Sequence, residues 1–195
     1  KLDALIKLLE TVEVRVYKLR GTNPIADIYW MSSEIAENNI SVDDIRNRLT
    51  NFCEKFMNNH VFRTYLDGDI YRNGAVKYIL SEYTNDNFDM TTYRDLTVEH
   101  IFSEDPNYDP SSYGFDEDYD YEKNRVGNLT LLEQRINKGI GNDPPKNKIT
   151  AYIKSIVKDT LNIAGEIQNG KFSKENVDNR RKNIIDFCIK RFKIE

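Results

Sequence analysis

The sequence contains no apolar run near the roughly 18 to 20 residues that a membrane-crossing helix requires, and no signal-peptide pattern opens it. It has only two cysteines, Cys53 and Cys188, far apart and each inside a stretch of helical amphipathic spacing. That argues against a disulfide scaffold or a cysteine metal site and predicts two buried free thiols in a reducing, cytoplasmic compartment. Internal repeats are absent, as is low-complexity sequence outside one acidic loop. Lys and Arg are missing altogether from Glu99 to Glu122, a stretch that holds nine acids.

What is present fits a globular chain. At 195 residues it can bury a real core as one domain or two small ones, and 39% hydrophobic residues with 11% aromatics argue against disorder. The net charge of −4 hides a reversal, because from Lys123 onward 16 Lys and Arg face 8 Asp and Glu. The bulk acidity therefore does not exclude a polyanionic partner. Lys1-Leu2-Asp3-Ala4-Leu5-Ile6 begins mid-pattern without Met or a cap, and reads as a helix cut from a longer polypeptide.

Helical spacing dominates the first ninety residues. Leu2, Leu5, Ile6, Leu9, Val12 and Val16 share one face, with the β-branched residues near its end working against the helix. Asn23-Pro24 marks a break, and a short helix is expected over Ile25 to Ala36. Ser41 followed by Asp43 and Asp44 reads as an N-cap opening a helix with Ile45, Leu49, Phe52, Cys53 and Phe56 on one side. Another helix is expected from about Asn73, with Val76, Ile79, Leu80 and Tyr83 inward. These residues read as a helical scaffold or linker, 1–90, and the remainder, 91–195, as a functional domain.

The pattern changes at Leu96-Thr97-Val98-Glu99-His100-Ile101-Phe102, which alternates as a strand. A loop rich in Asp, Tyr, Pro, Ser and Gly follows to about Lys123. Val126-Gly127-Asn128-Leu129-Thr130-Leu131-Leu132 then gives a turn and a second short strand, and Glu133 to Lys138 reads as a helix start. Asp143-Pro144-Pro145 breaks it; helices are expected over Lys148 to Val157 and Ser173 to Phe192, the latter capped by Ser173. The fold expectation is α+β, predominantly helical with an inserted ββα unit.

There are two histidines. His60 has no acid or metal-type neighbour and reads as structural or surface. His100 differs by its company: Glu99 immediately before it, Asn128 after a glycine at a strand start, and Asn137 nine residues further on. The set suits phosphodiester hydrolysis. Imidazole titrates near pH 6.5 and can activate water. The leaving 3′-oxygen develops charge that a divalent cation neutralises, and a hard cation such as Mg²⁺ takes one or two oxygen ligands, for which the Glu99 carboxylate and the Asn137 amide are candidates. Asn128 would do no chemistry but tie the long loop to the strand.

Glu99-His100-Ile101, then Gly127-Asn128-Leu129-Thr130-Leu131-Leu132, then Asn137 resembles the His-Asn-His (His-Me finger) nuclease superfamily. More narrowly it is similar to the C-terminal nuclease domain of GmrSD-type modification-dependent restriction enzymes. The resemblance implies a ββα-metal finger, His100 as general base, Asn128 as its structural partner, and Glu99 with Asn137 as ligands of Mg²⁺ or Mn²⁺. It also implies DNA as substrate, 5′-phosphate products, a role in restriction or phage defence, and an upstream NTP-using sensor domain or subunit. The segment Lys148 to Ser155 resembles the Lys-rich stretch after the motif, and Phe172, Val177, Arg180 and Ile184 the closing helix. Two features depart from the pattern: Ser103 stands where many members have Pro, and the zinc-binding Cys pairs of some members are missing.

Lys138 and Lys148 are the expected phosphate contacts, while Arg180 and Arg181 could instead brace the last helix. Asp105-x-Asn107-x-Asp109 with Asp116 superficially resembles a calcium loop, but Pro110 occupies the position where the turn needs Gly, so a solvated insertion is expected. The loop tyrosines Tyr108, Tyr113, Tyr119 and Tyr121 read as amphipathic surface, with base stacking as the alternative. A catalytically inactive nuclease-like fold that binds nucleic acid or protein is the competing functional reading, and an interaction module built on the acidic loop is a third.

Overall fold

The computed structural model describes residues 2–23, 25–38, 40–170 and 172–194, with backbone only for 25 and 38. Two compact units divide the chain: Lys1–Tyr65 with Cys188–Glu195, and Leu66–Phe187. The boundary expected near residue 90 is therefore displaced. The helix after Asn73 packs against the sheet and so belongs with the strands, and the chain's last residues join its first.

The first unit is helical. Helix α1 (Leu2–Val12) continues into a π-helical segment, Glu13–Leu19, where the β-branched residues gather. Helices α2 (Ile25–Asn38), α3 (Val42–Met57) and α4 (Asn59–Leu66) follow. The break read at Asn23-Pro24 involves Pro24, which lies outside the described residues. Ser41 caps α3 as its sequence suggests: its hydroxyl accepts from Asp44 N at 3.2 Å while Asp44 accepts from Ser41 N at 3.2 Å. Arg15 is fully buried, donating from Nε to Phe192 O at 2.7 Å, to Met57 O at 3.1 Å and to Asn59 Oδ1 at 2.9 Å. Cys53 and Cys188 are free and buried, and burial pushes their thiols up to about 11 and about 12.

The second unit holds the two-stranded antiparallel sheet. Strand β1 (Leu96–His100) pairs with β2 (Leu129–Glu133) in a register that sets Glu99 opposite Thr130 and His100 opposite Leu129. Helices α5 (Val76–Thr84) and α6 (Met90–Asp95) precede the strands, and α7 (Tyr119–Glu122) lies in the intervening loop. Helix α8 (Gln134–Asn137) follows β2, then α9 (Pro145–Tyr152), α10 (Lys158–Gln168) and α11 (Lys174–Arg191). The helix expected over Glu133 to Lys138 is thus a single turn. The one expected from Lys148 starts earlier, because Pro145 sits at its first position, where a missing N–H costs nothing.

The acidic loop is packed, contrary to the expectation of a solvated insertion. Phe102, Phe115, Tyr119, Tyr152, Ile163 and Phe172 form a core with Ile101 and Leu132, and Tyr108 and Tyr113 pack against it. Tyr119 OH donates to Ser103 O, Ser103 N donates to Tyr108 OH at 3.1 Å, and Asp109 accepts from Ser111 N at 3.0 Å to cap a 3-10 turn, Pro110–Tyr113. Of the four loop tyrosines only Tyr121 stays largely in solvent, with the Arg125 guanidinium 4.0 Å from its ring centroid. Tyr residues can bury a ring when the hydroxyl finds a partner, which is how acid-rich sequence here sustains a core.

Candidate active site

The chain bends at Ile101–Phe102 as β1 ends, and Asn128 makes the bend. Its side chain accepts from Phe102 N at 2.8 Å and donates to Phe102 O at 2.8 Å and Lys123 O at 2.8 Å, while its carbonyl accepts from Ile101 N at 2.9 Å. One asparagine thus satisfies both ends of the loop and fixes the backbone immediately after His100. Gly127 has to be glycine: a Cβ there would stand 2.2 Å from Val177 O and 2.8 Å from Arg181 Cβ of α11. Arg180 then clamps the carbonyls on either side of Asn128, donating to Gly127 O and Leu129 O at 3.1 Å each, with Asp159 completing its fork at 2.7 Å. Both arginines after Asn179 brace this corner, Arg181 through Glu122 at 3.0 Å.

Glu99 and His100 are consecutive, so they project from opposite faces of β1. The structure gives them different companions. His100 is 6% exposed; its Nε2 lies 3.0 Å from Asn124 Oδ1, and its ring centroid lies 4.1 Å from that of Tyr71. Burial lowers its pKa below the usual imidazole value, opposed by the Asn124 contact and by the Glu104 and Glu99 charges and assisted by Lys148. The imidazole is therefore neutral near pH 7, the form able to accept a proton.

On the other face, Glu99 Oε1 accepts from Lys148 Nζ at 2.8 Å and from Tyr152 OH at 3.1 Å. Lys148 also donates to His100 O at 2.7 Å and is 1% exposed. The expected phosphate contact at Lys148 is thereby corrected: its ammonium neutralises a buried carboxylate and is closed off from a polyanion. Lys138, beside Asn137, is exposed. Asn137 Nδ2 donates to Thr97 Oγ1 at 2.9 Å, and that hydroxyl donates to Leu132 O at 3.0 Å. Thr97 lies two residues before Glu99, so Asn137 and Glu99 border the same strand face.

The donor set fits a loosely held hard cation. The Thr97 contact is made by the Asn137 amide nitrogen and not its oxygen, and the Lys148 and Tyr152 contacts both fall on one Glu99 oxygen. Among the described residues no group of three or more His, Cys, Asp or Glu could hold a metal.

The profile of a protein family described as GmrSD restriction endonucleases, C-terminal domain, matches residues 54–187, well over half of the chain. The chain belongs to this family. The GmrSD C-terminal domain match covers both strands, Asn128, Asn137 and the whole of α9, and it makes the matched region a restriction-endonuclease-type nuclease domain. No curated protein matches the chain. No helix among the described residues is long and apolar enough to cross a membrane.

Sequence reasoning named Glu99, His100, Asn128 and Asn137 but missed Asn124, Asp69, Tyr71 and Tyr152. Tyr152 was accessible: it follows Lys148 by one helical turn, and residues four apart share a helix face. Asn124, Asp69 and Tyr71 carry no pattern that singles them out, since only the folded chain sets them around the imidazole.

Proposed function

We propose that this domain hydrolyses DNA phosphodiesters as a divalent-metal-dependent endonuclease of the His-Asn-His type, within a restriction or phage-defence system. The observation that carries the reading is His100, a buried neutral imidazole at a strand end, with the Glu99 carboxylate on the opposite face of the same strand and the Asn137 amide bordering that second face. His100 takes a proton from water, the water oxygen forms the new P–O bond, and the bond to the 3′-oxygen breaks to leave a 5′-phosphate end. A divalent cation such as Mg²⁺ or Mn²⁺, when bound, would neutralise the charge that develops on the leaving oxygen. Glu99 and Asn137 would hold it. Lys148 and Tyr152 orient the Glu99 carboxylate, Asn128 holds the loop after His100, and the exposed Lys138 would meet a phosphate. Selection of the DNA and any use of NTP would rest with an upstream domain or subunit.

The test is plasmid nicking with Mg²⁺ by the wild-type domain and by His100→Ala. Cleavage that disappears in the variant, with DNA binding and thermal melting retained, is the expected outcome. Retention of DNA by the wild-type protein with no cutting under any divalent cation would replace the reading with an inactive binding module.

A further inference from the structure

Asn124 is fixed at three points. Its carbonyl accepts from Ile70 N at 3.2 Å, its Nδ2 donates to Asp69 Oδ2 at 3.0 Å, and its Oδ1 lies 3.0 Å from His100 Nε2. The direction of this chain follows from the chemistry of its ends. A carboxylate only accepts, so the amide nitrogen of Asn124 must face Asp69 and its oxygen must face the ring. An amide oxygen only accepts as well, so Nε2 must carry the imidazole proton. Nδ1 is then left with the lone pair. Tyr71, its ring centroid 4.1 Å from that of His100, limits rotation about the side-chain bonds.

We propose that Asp69 and Asn124 form an orienting relay that locks His100 in the Nε2–H tautomer and makes Nδ1 the atom that accepts the proton from water. The functional half of this proposal rests on the nuclease reading above; the tautomer itself is a property of the resting protein. Both are positioning residues, because they act through His100 and touch no substrate. The relay answers a problem that burial creates. A neutral imidazole in water interchanges tautomers and turns freely, whereas a base that must meet one water needs one nitrogen presented in one direction. The two links differ in strength: Asn124 is half-buried and meets the ring directly, whereas Asp69 is exposed and its contact is diluted by water.

The chain has only two histidines, so a His60→Gln background leaves one imidazole to observe. In metal-free protein labelled with ¹⁵N at histidine, nitrogen–proton correlation spectra should show the proton on Nε2, slow to exchange, and an unprotonated Nδ1. Asn124→Ala should lose the protected Nε2 proton and lower kcat roughly 10- to 100-fold with KM nearly unchanged, the range for partners that orient a working histidine. Asn124→Asp, which keeps an accepting oxygen, should retain the protected proton, and Asp69→Ala should lower kcat only about 2- to 5-fold, as befits an exposed contact. A proton found on Nδ1 in the wild-type protein, or a spectrum unchanged by Asn124→Ala, overturns the relay whatever the cleavage result. Persistent cleavage by His100→Ala would instead remove the nuclease reading and leave the tautomer assignment standing.

Discussion

Each of the two units buries charge, but to different ends. In the first, Arg15 is enclosed, its three guanidinium nitrogens donating to two backbone carbonyls and an asparagine oxygen, and its guanidinium lies 4.2 Å from the centroid of the Phe62 ring. In the second, Glu99, His100, Asn124, Lys148 and Tyr152 converge on the last two residues of one strand. Arg15 ties separate chain segments together with a group that never changes protonation. The second cluster includes a titratable ring whose environment is adjusted, and it lies where the strand ends in a bend. Buried polarity thus marks a brace in one unit and the candidate site in the other, and the difference lies in which groups are paired with which.

The largest expected contrast is between the two histidines, one in each unit. His100→Ala should reduce cleavage by about 10³-fold or more, the scale on which general bases act, while the exposed His60→Ala leaves it unchanged. Equal losses in a nicking assay would erase the distinction between the units. Removing the buried cations comes next. Arg15→Met and Lys148→Met should each cost about 3 to 5 kcal/mol in chemical denaturation, because each leaves buried oxygens without their partner. Only Lys148→Met should also lower kcat in conditions where both variants remain folded; a matching loss in Arg15→Met would make the site depend on the first unit.

Smaller effects sharpen the second unit alone. Asn128→Ala removes three hydrogen bonds to the loop ends and should cost about 1 to 3 kcal/mol, with a lower kcat than the stability loss by itself explains. The pH dependence is the mildest. Burial lowers the His100 pKa, so its neutral, base-competent form persists below the usual 6.5, and the acidic limb of the kcat profile should lie under that value. Stability has the same sign: the unfolded chain takes up the proton first, so the contribution of His100 is complete above about 6.5 and is lost as pH falls through the folded value. An acidic limb above 6.5 would mean that the neighbouring carboxylates outweigh burial.

The helices with strong periodicity were legible without a structure, as was the strand carrying Glu99 and His100, because a period of about 3.6 or of 2 is imprinted locally. The same holds for the Ser41 capping box and for the order Glu-His, Gly-Asn, Asn that identifies the family. The acidic loop was not legible. Nine acids without a cation read as solvated sequence, whereas the structure matches Tyr119 and Tyr108 to one serine backbone and buries their rings beside Phe102 and Phe115. The boundary between units was hidden for a similar reason, since it depends on α5 lying against strands that come later in the chain.

What the sequence by itself determined is the inventory: a histidine, a carboxylate, two asparagines and a glycine, in an order that local pattern preserves. Only the tertiary structure decided what each does with its neighbours. Lys148, about fifty positions from Glu99 in the chain, turned from a surface cation into its buried partner, and Asn124 and Asp69 came to hold the imidazole. Hydrogen bonds and ion pairs act over a few ångströms and are indifferent to separation along the chain, so their partners are chosen by the fold.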